Sequence, residues 1–193
     1  MIADQEAELA KVVDPFWREI NGVFLEIWGE RPFRVAKDDN ELRLHTPDKF
    51  NLVKGSYRGE SVFGDFEFIL TLNSKQSGLS VQRSSFQFFT TDEREPLFRY
   101  EFDRSRDSKP RSYLAVHPRR EGDTEELSNG RVRDIEIIEF PLGGDVLRPC
   151  LEDIILGLNN HFKLGITEDE RLILKRRIDQ FRENEMETVK SIP

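Results

Sequence analysis

The sequence predicts a single α+β domain, an antiparallel β-meander covered by an N-terminal helix and a C-terminal helical pair. Three observations predict it. Apolar residues recur every three or four positions at both ends of the chain, which is the helical period. Between the ends the period is two, the strand period. The alternating runs are joined by turns too short for a crossover, so consecutive strands can only pair antiparallel. At 193 residues, 37% of them hydrophobic, one core is the economical reading, with residues 1–30 helical, 31–141 sheet and 142–193 helical again. Fifteen Phe against two Met and three Tyr make that core one of large rings.

The first helix rests on Leu9, Val13, Phe16, Ile20, Phe24 and Ile27, one apolar stripe through residues 4–29. Asp14-Pro15 interrupts it, since proline after an Asp cap is a helix start signal. Either one kinked helix or a short and a longer one is expected. Trp17 and Trp28 widen the stripe, which makes this helix part of the main core or a dimer face, and a homodimer through the two indoles is expected. Strands are predicted near 33–37, 41–46, 50–58, 65–73, 79–90, 97–103, 112–117 and 132–140. In FRYEF, Phe98, Tyr100 and Phe102 share one face, so Arg99, Glu101 and Asp103 share the opposite, exposed one. The loop from Arg119 to Gly130 has no periodicity and is expected to be mobile.

After Phe140-Pro141 and the Gly143-Gly144 turn, Pro149 is placed in a first helical turn, with Leu151, Ile154, Ile155, Leu158 and Phe162 on one side of the helix. Thr167 and Glu170 form a capping box for a last helix with the apolar face Leu174, Ile178 and Phe181, expected to fray beyond it.

The formal charge is −8, unevenly spread. Residues 1–30 carry seven acids against Lys11 and Arg18, a local balance of −5. Over 99–120 the sign reverses to +4, with Arg99, Arg104, Arg106, Lys109, Arg111, Arg119 and Arg120 outnumbering Glu101, Asp103 and Asp107. Such a patch on an acidic chain fits pairing with an acidic segment or protein partner better than capture of a polyanion, so nucleic acid is disfavoured.

Several chemistries fail on spacing. Gly143-Gly144 precedes a helix, but neither GxxxxGK[ST] nor GxGxxG is present. The helical pair at 151–177 resembles a helix-turn-helix only until Glu168, Asp169 and Glu170 are seen at the start of the would-be reading helix. Lys175-Arg176-Arg177 reads as a solvated face. His45, His117 and His161 stand far apart and Cys150 is alone, so no zinc spacing and no internal disulfide exist. A carboxylate metal site from Glu101 and Asp103 with Asp65 or Glu67 would need a nuclease-type lysine where GDFEFIL supplies isoleucine, so no metal and no cofactor are expected. The N-terminus is acidic and no run of about 18 apolar residues exists, so no signal peptide, no membrane and a cytoplasmic address are expected.

What remains is the stretch 96–120. His117 titrates nearest neutrality, and with Arg99, Glu101 and Arg111 it forms the candidate catalytic set for metal-independent phosphodiester cleavage. Arg99, Asp103, Arg111, Arg119 and Arg120 form the candidate binding set.

PLFRYEFDR…KPRSYLAVH followed by FPLGGDVLRPCLEDII resembles a family of uncharacterised bacterial proteins, mostly actinobacterial. Its members carry a similar Arg-Tyr-Asp-like strand, a strand ending in histidine and a Pro-x-Gly-Gly-x-x-x-Arg-Pro-Cys-Leu-Glu-Asp helix start. The resemblance covers residues 96–162 and implies no activity. A weaker one is to small toxins of toxin–antitoxin modules, which show two or more histidines on the second strand where this chain has Tyr113 and Ala115 before His117. The expectation is a non-enzymatic interaction or regulatory protein, of a toxin–antitoxin-like or defence locus, with a ribonuclease-like toxin as the alternative.

Overall fold

The computed structural model describes residues 2–38, 41–54, 61–72, 79–90, 96–105, 111–117, 124–126, 132–134, 138–142 and 148–190. The α+β architecture is as expected. Helix α1 (Ile2–Trp28) precedes strands β1 (Arg34–Asp38), β2 (Glu41–His45), β3 (Phe50–Asn51), β4 (Val62–Leu72), β5 (Leu79–Thr90), β6 (Phe98–Asp103) and β7 (Ser112–Val116). Then come β8 (Thr124–Glu126), β9 (Val132–Asp134), β10 (Ile138–Pro141), α2 (Leu151–Phe162) and α3 (Glu168–Lys190). The main sheet has eight antiparallel strands in the order β1-β2-β4-β5-β6-β7-β10, with β3 pairing onto β4 beyond the end of β2.

The break between β2 and β3 has a side-chain cause. Thr46 Oγ accepts the Phe66 N–H at 3.1 Å and donates to Asp65 Oδ1 at 3.2 Å, so the ladder loses one backbone acceptor without orphaning its donor. Of the predicted strand over 50–58, Phe50–Asn51 are strand and residues 52–54 are not, and the later part lies outside the described residues. The run at 132–140 is also not one strand: β9 pairs with β8 in a separate two-stranded sheet, and β10 pairs with β7. β8 lies within the stretch that lacked periodicity, since a three-residue strand is too short to show any.

α1 is one helix with Pro15 inside. Its stripe packs Val13, Ile20, Val23, Phe24 and Ile27 onto the sheet against Phe66, Phe68, Phe86 and Phe88. Phe24 is fully buried, its ring 5.1–5.7 Å from those of Trp28, Phe33, Phe50 and Phe66. Both indoles direct their N–H groups into the fold. Trp28 Nε1 donates to Leu52 O at 3.0 Å and Trp17 Nε1 to Phe33 O at 3.1 Å, the cheapest way to bury a ring with a polar edge. Asn21 completes this seam by accepting the Phe33 N–H at 3.1 Å.

α2 and α3 cover the rest of the same sheet face with the predicted residues: Leu151, Ile154, Ile155, Leu158, Leu174 and Ile178 are buried. Pro149 lies outside α2, because Cys150 is the extended N-cap. The capping box forms, with Thr167 N–H donating to Glu170 Oε2 at 2.8 Å and Glu170 N–H to Thr167 Oγ at 3.4 Å. α3 continues as helix to Lys190, past the point where fraying was expected. Arg177 is not a solvated residue: its Nη2 is 3.1 Å from Glu26 Oε1 and its side chain keeps 22% of its surface, tying α3 to α1. Among the described residues no helix is long and apolar enough to cross a membrane.

Candidate functional site

Strand alternation and register build a polar surface on the sheet face away from the helices. Phe98, Tyr100 and Phe102 of β6 pair with Phe88, Phe86 and Ser84 of β5 on the helix-covered side, so Arg99, Glu101 and Asp103 lie on the other. There Glu101 stands opposite Ser85 and Tyr113, Arg99 opposite Gln87 and Ala115, and Asp103 opposite Arg83.

This surface is less exposed than the sequence suggested. Arg99 and Glu101 keep 28% and 23% of their side-chain surface, and Tyr113 and Ala115 are buried. Arg99 Nε is 3.1 Å from Glu101 Oε1, and the Tyr113 hydroxyl donates to Glu101 Oε2. Further along, Arg43 pairs with Glu67, and Arg83 Nη2 is 3.2 Å from Glu41 Oε2. Glu41, Arg43, Glu67, Arg83, Glu101 and Tyr113 line a trough of about 620 Å³ together with Asp103. Asp103 Oδ1 accepts from the Ser105 N–H at 2.9 Å and from its hydroxyl at 2.6 Å.

The two candidate sets divide on this geometry. Arg99 and Glu101 are in contact, and Arg111 is level with Asp103 through the Asp103 N–H to Arg111 O bond of 2.9 Å. His117 is at the other end of β7, its N–H bonded to Leu97 O at 3.1 Å. Six residues of strand put it roughly 20 Å from Arg111. Counted from Tyr113, which faces Glu101, it lies about 13 Å along the strand. Arg99 alone is its diagonal neighbour, two positions away across the β6–β7 pair. Hence the four residues named as a catalytic set do not converge on one scissile bond. Arg111 Nε is buried and takes no hydrogen bond among the described residues, which leaves it a donor to offer. Arg119 and Arg120 lie outside the described residues, as do Arg106, Lys109 and the Gly143-Gly144 turn.

Tyr113 is the member of the network that the sequence reading weighed only as a missing histidine. The signal for it was present, since it falls on the same alternation as Ala115 and His117. The carboxylates Asp65, Glu67, Glu101 and Asp103 share this face, and each has the arginine or hydroxyl partner given above or in the Thr46 turn. Among the described residues no group of three or more His, Cys, Asp or Glu is placed to hold a metal ion.

Comparison with protein-family models, with curated proteins and with solved structures finds no match to this chain.

Proposed function

We propose that the protein is a non-enzymatic interaction or regulatory protein that captures a protein partner, a cognate chain or a second copy, on the polar face of its sheet. The observation that carries this reading is the closed network Arg99–Glu101–Tyr113 beside Arg111, whose buried Nε is open. A charge pattern whose members are already paired is rigid and changes little on docking, which favours specificity over chemistry. Catalysis would instead require a base within hydrogen-bond reach of its co-workers, and about 13 Å separates the levels of His117 and Glu101. The resemblance to toxin–antitoxin proteins around 96–117 fits a regulatory role in a locus of that kind, with a cytoplasmic address.

The test is co-expression with the protein encoded beside it and mass measurement of the purified complex. Arg111→Ala and Arg99→Ala should weaken the complex, Arg111→Ala by about tenfold or more, with the loss shrinking as salt is raised. His117→Ala should bind as the wild type does. An RNA-cleaving activity of the purified protein that disappears in His117→Ala would instead establish the ribonuclease-like alternative.

A further inference from the structure

On the opposite side of the sheet, where α1 and the helical pair meet the ends of β4, β5 and β6, the layers leave a cavity of about 460 Å³. Its lining mixes apolar side chains, Phe16 and Ile20 from α1, Phe68 and Phe86 from the sheet and Phe181 from α3, with the polar Ser80 and Asn184. Four charged side chains also reach it, Glu19 from α1, Glu152 from the first turn of α2, Arg104 following β6, and Arg148 ahead of α2. A volume of several hundred Å³ that joins aromatic side chains to a few convergent charged groups is the form of a small-molecule site.

Two of these charged groups, Glu152 and Arg104, keep hydrogen-bonding capacity that the described residues do not fill. Glu152 is only 7% exposed, and the hydrogen bond it receives comes from the Cys150 thiol, a weak donor, at 3.3 Å. Arg104 Nε is buried and without a hydrogen bond among the described residues, its guanidinium lying 5.8 Å from the Phe102 ring centre. Glu19 stands at the exposed rim. Desolvation and then the Glu152 carboxylate push its pKa above the usual carboxylate range, against the pull of Arg177 and Arg148. Arg148 packs over Phe181, its guanidinium 4.8 Å from the ring centre. A buried carboxylate served by a thiol leaves acceptor capacity empty.

We propose that this cavity binds a small zwitterion with an apolar side group, the chemical class of the apolar α-amino acids. The ammonium group lies between Glu152 and Glu19 and donates to both. The carboxylate takes the open Nε–H of Arg104, and the side group packs against Phe16, Phe68 and Phe86. Each polar end of the ligand thereby meets an opposite charge in a partly desolvated setting, where charge-assisted hydrogen bonds are strongest. This site is separate from the polar sheet face and does not depend on how that face is used.

The experiment is an NMR titration of the full chain with L-phenylalanine, alongside 2-phenylethylamine, which lacks the carboxylate, and 3-phenylpropionate, which lacks the ammonium. Saturable shifts at residues around 16–20, 81–86 and 148–152 are expected with L-phenylalanine, and each truncated analogue should bind at least tenfold more weakly. Glu152→Gln and Arg104→Gln should each weaken L-phenylalanine binding by a similar factor. If Glu152→Gln does not fold, Arg104→Gln and the wild-type analogue series still decide. Absence of saturable shifts up to the solubility limit, binding unchanged in Arg104→Gln, or equal binding of either analogue would overturn the proposal.

Discussion

Replacing Trp28 by Phe separates the inward role of this indole from a role between copies of the chain. In the structure Trp28 stacks on Phe24 at 5.1 Å, meets Phe50 edge-on at 5.7 Å and donates to the carbonyl of fully buried Leu52 at 3.0 Å. Phe retains a ring in place but has no N–H. The Leu52 carbonyl loses its indole donor in a water-free setting, a loss of about 1–2 kcal/mol. The smaller ring forfeits roughly 40 Å² of apolar contact, about another 1 kcal/mol. The sum is about 2–3 kcal/mol. For a domain of this size that corresponds to a Tm lowered by about 5–10 °C. Urea unfolding followed by far-UV circular dichroism gives the free-energy difference, and light scattering gives the mass on the same samples. The expected outcome is a lower urea midpoint at unchanged mass. An unchanged midpoint with a halved mass would refute the reasoning, because the indole would then be holding two copies together.

Two further outcomes follow from the core and from the α3 cap. A Cβ on Gly64 would fall within the ring of Phe66, which lies over it on the same face of β4, so Gly64→Ala should destabilise by about 2–3 kcal/mol in the same urea assay, and a neutral result would mean that the ring can move aside. Glu170 loses some preference for the charged form through desolvation, but its bonds from Lys54 and from the Thr167 N–H and hydroxyl outweigh that and hold its pKa below the usual value. A depressed folded pKa contributes stability above the unfolded pKa of about 4.3 that is lost as pH falls through the folded value. The wild type should therefore exceed Glu170→Gln, which retains the capping-box geometry, by about 1 kcal/mol above pH 5, and the gap should close toward pH 3; a gap independent of pH would exclude the charge as its source.

The sequence by itself determined the class of fold, the helical faces and the division of β6 into two faces. These follow from local periodicity: a period of 3.6 or 2 assigns each side chain to a side before any tertiary contact exists. Leu151, Ile155, Leu158, Leu174 and Ile178 are buried for that reason, and the Thr167–Glu170 capping box forms because its bonds span only three residues. Tertiary structure decided what depends on residues distant in the chain. Asp65 and Thr46 end one strand pairing and begin another across 19 residues, and the Trp28 indole donates to Leu52 across 24. Register sets Glu101 opposite Tyr113 and Arg99 opposite Ala115, two positions short of His117. The cavity at Glu19, Glu152, Arg104 and Arg148 belongs wholly to this second kind. Its four charges come from three separate parts of the chain, and each alone has the spacing of an ordinary surface residue. Only the packing of the helices on the sheet gathers them, and the burial of Glu152 and of Arg104 Nε, which no local pattern encodes, is what turns them into a candidate site.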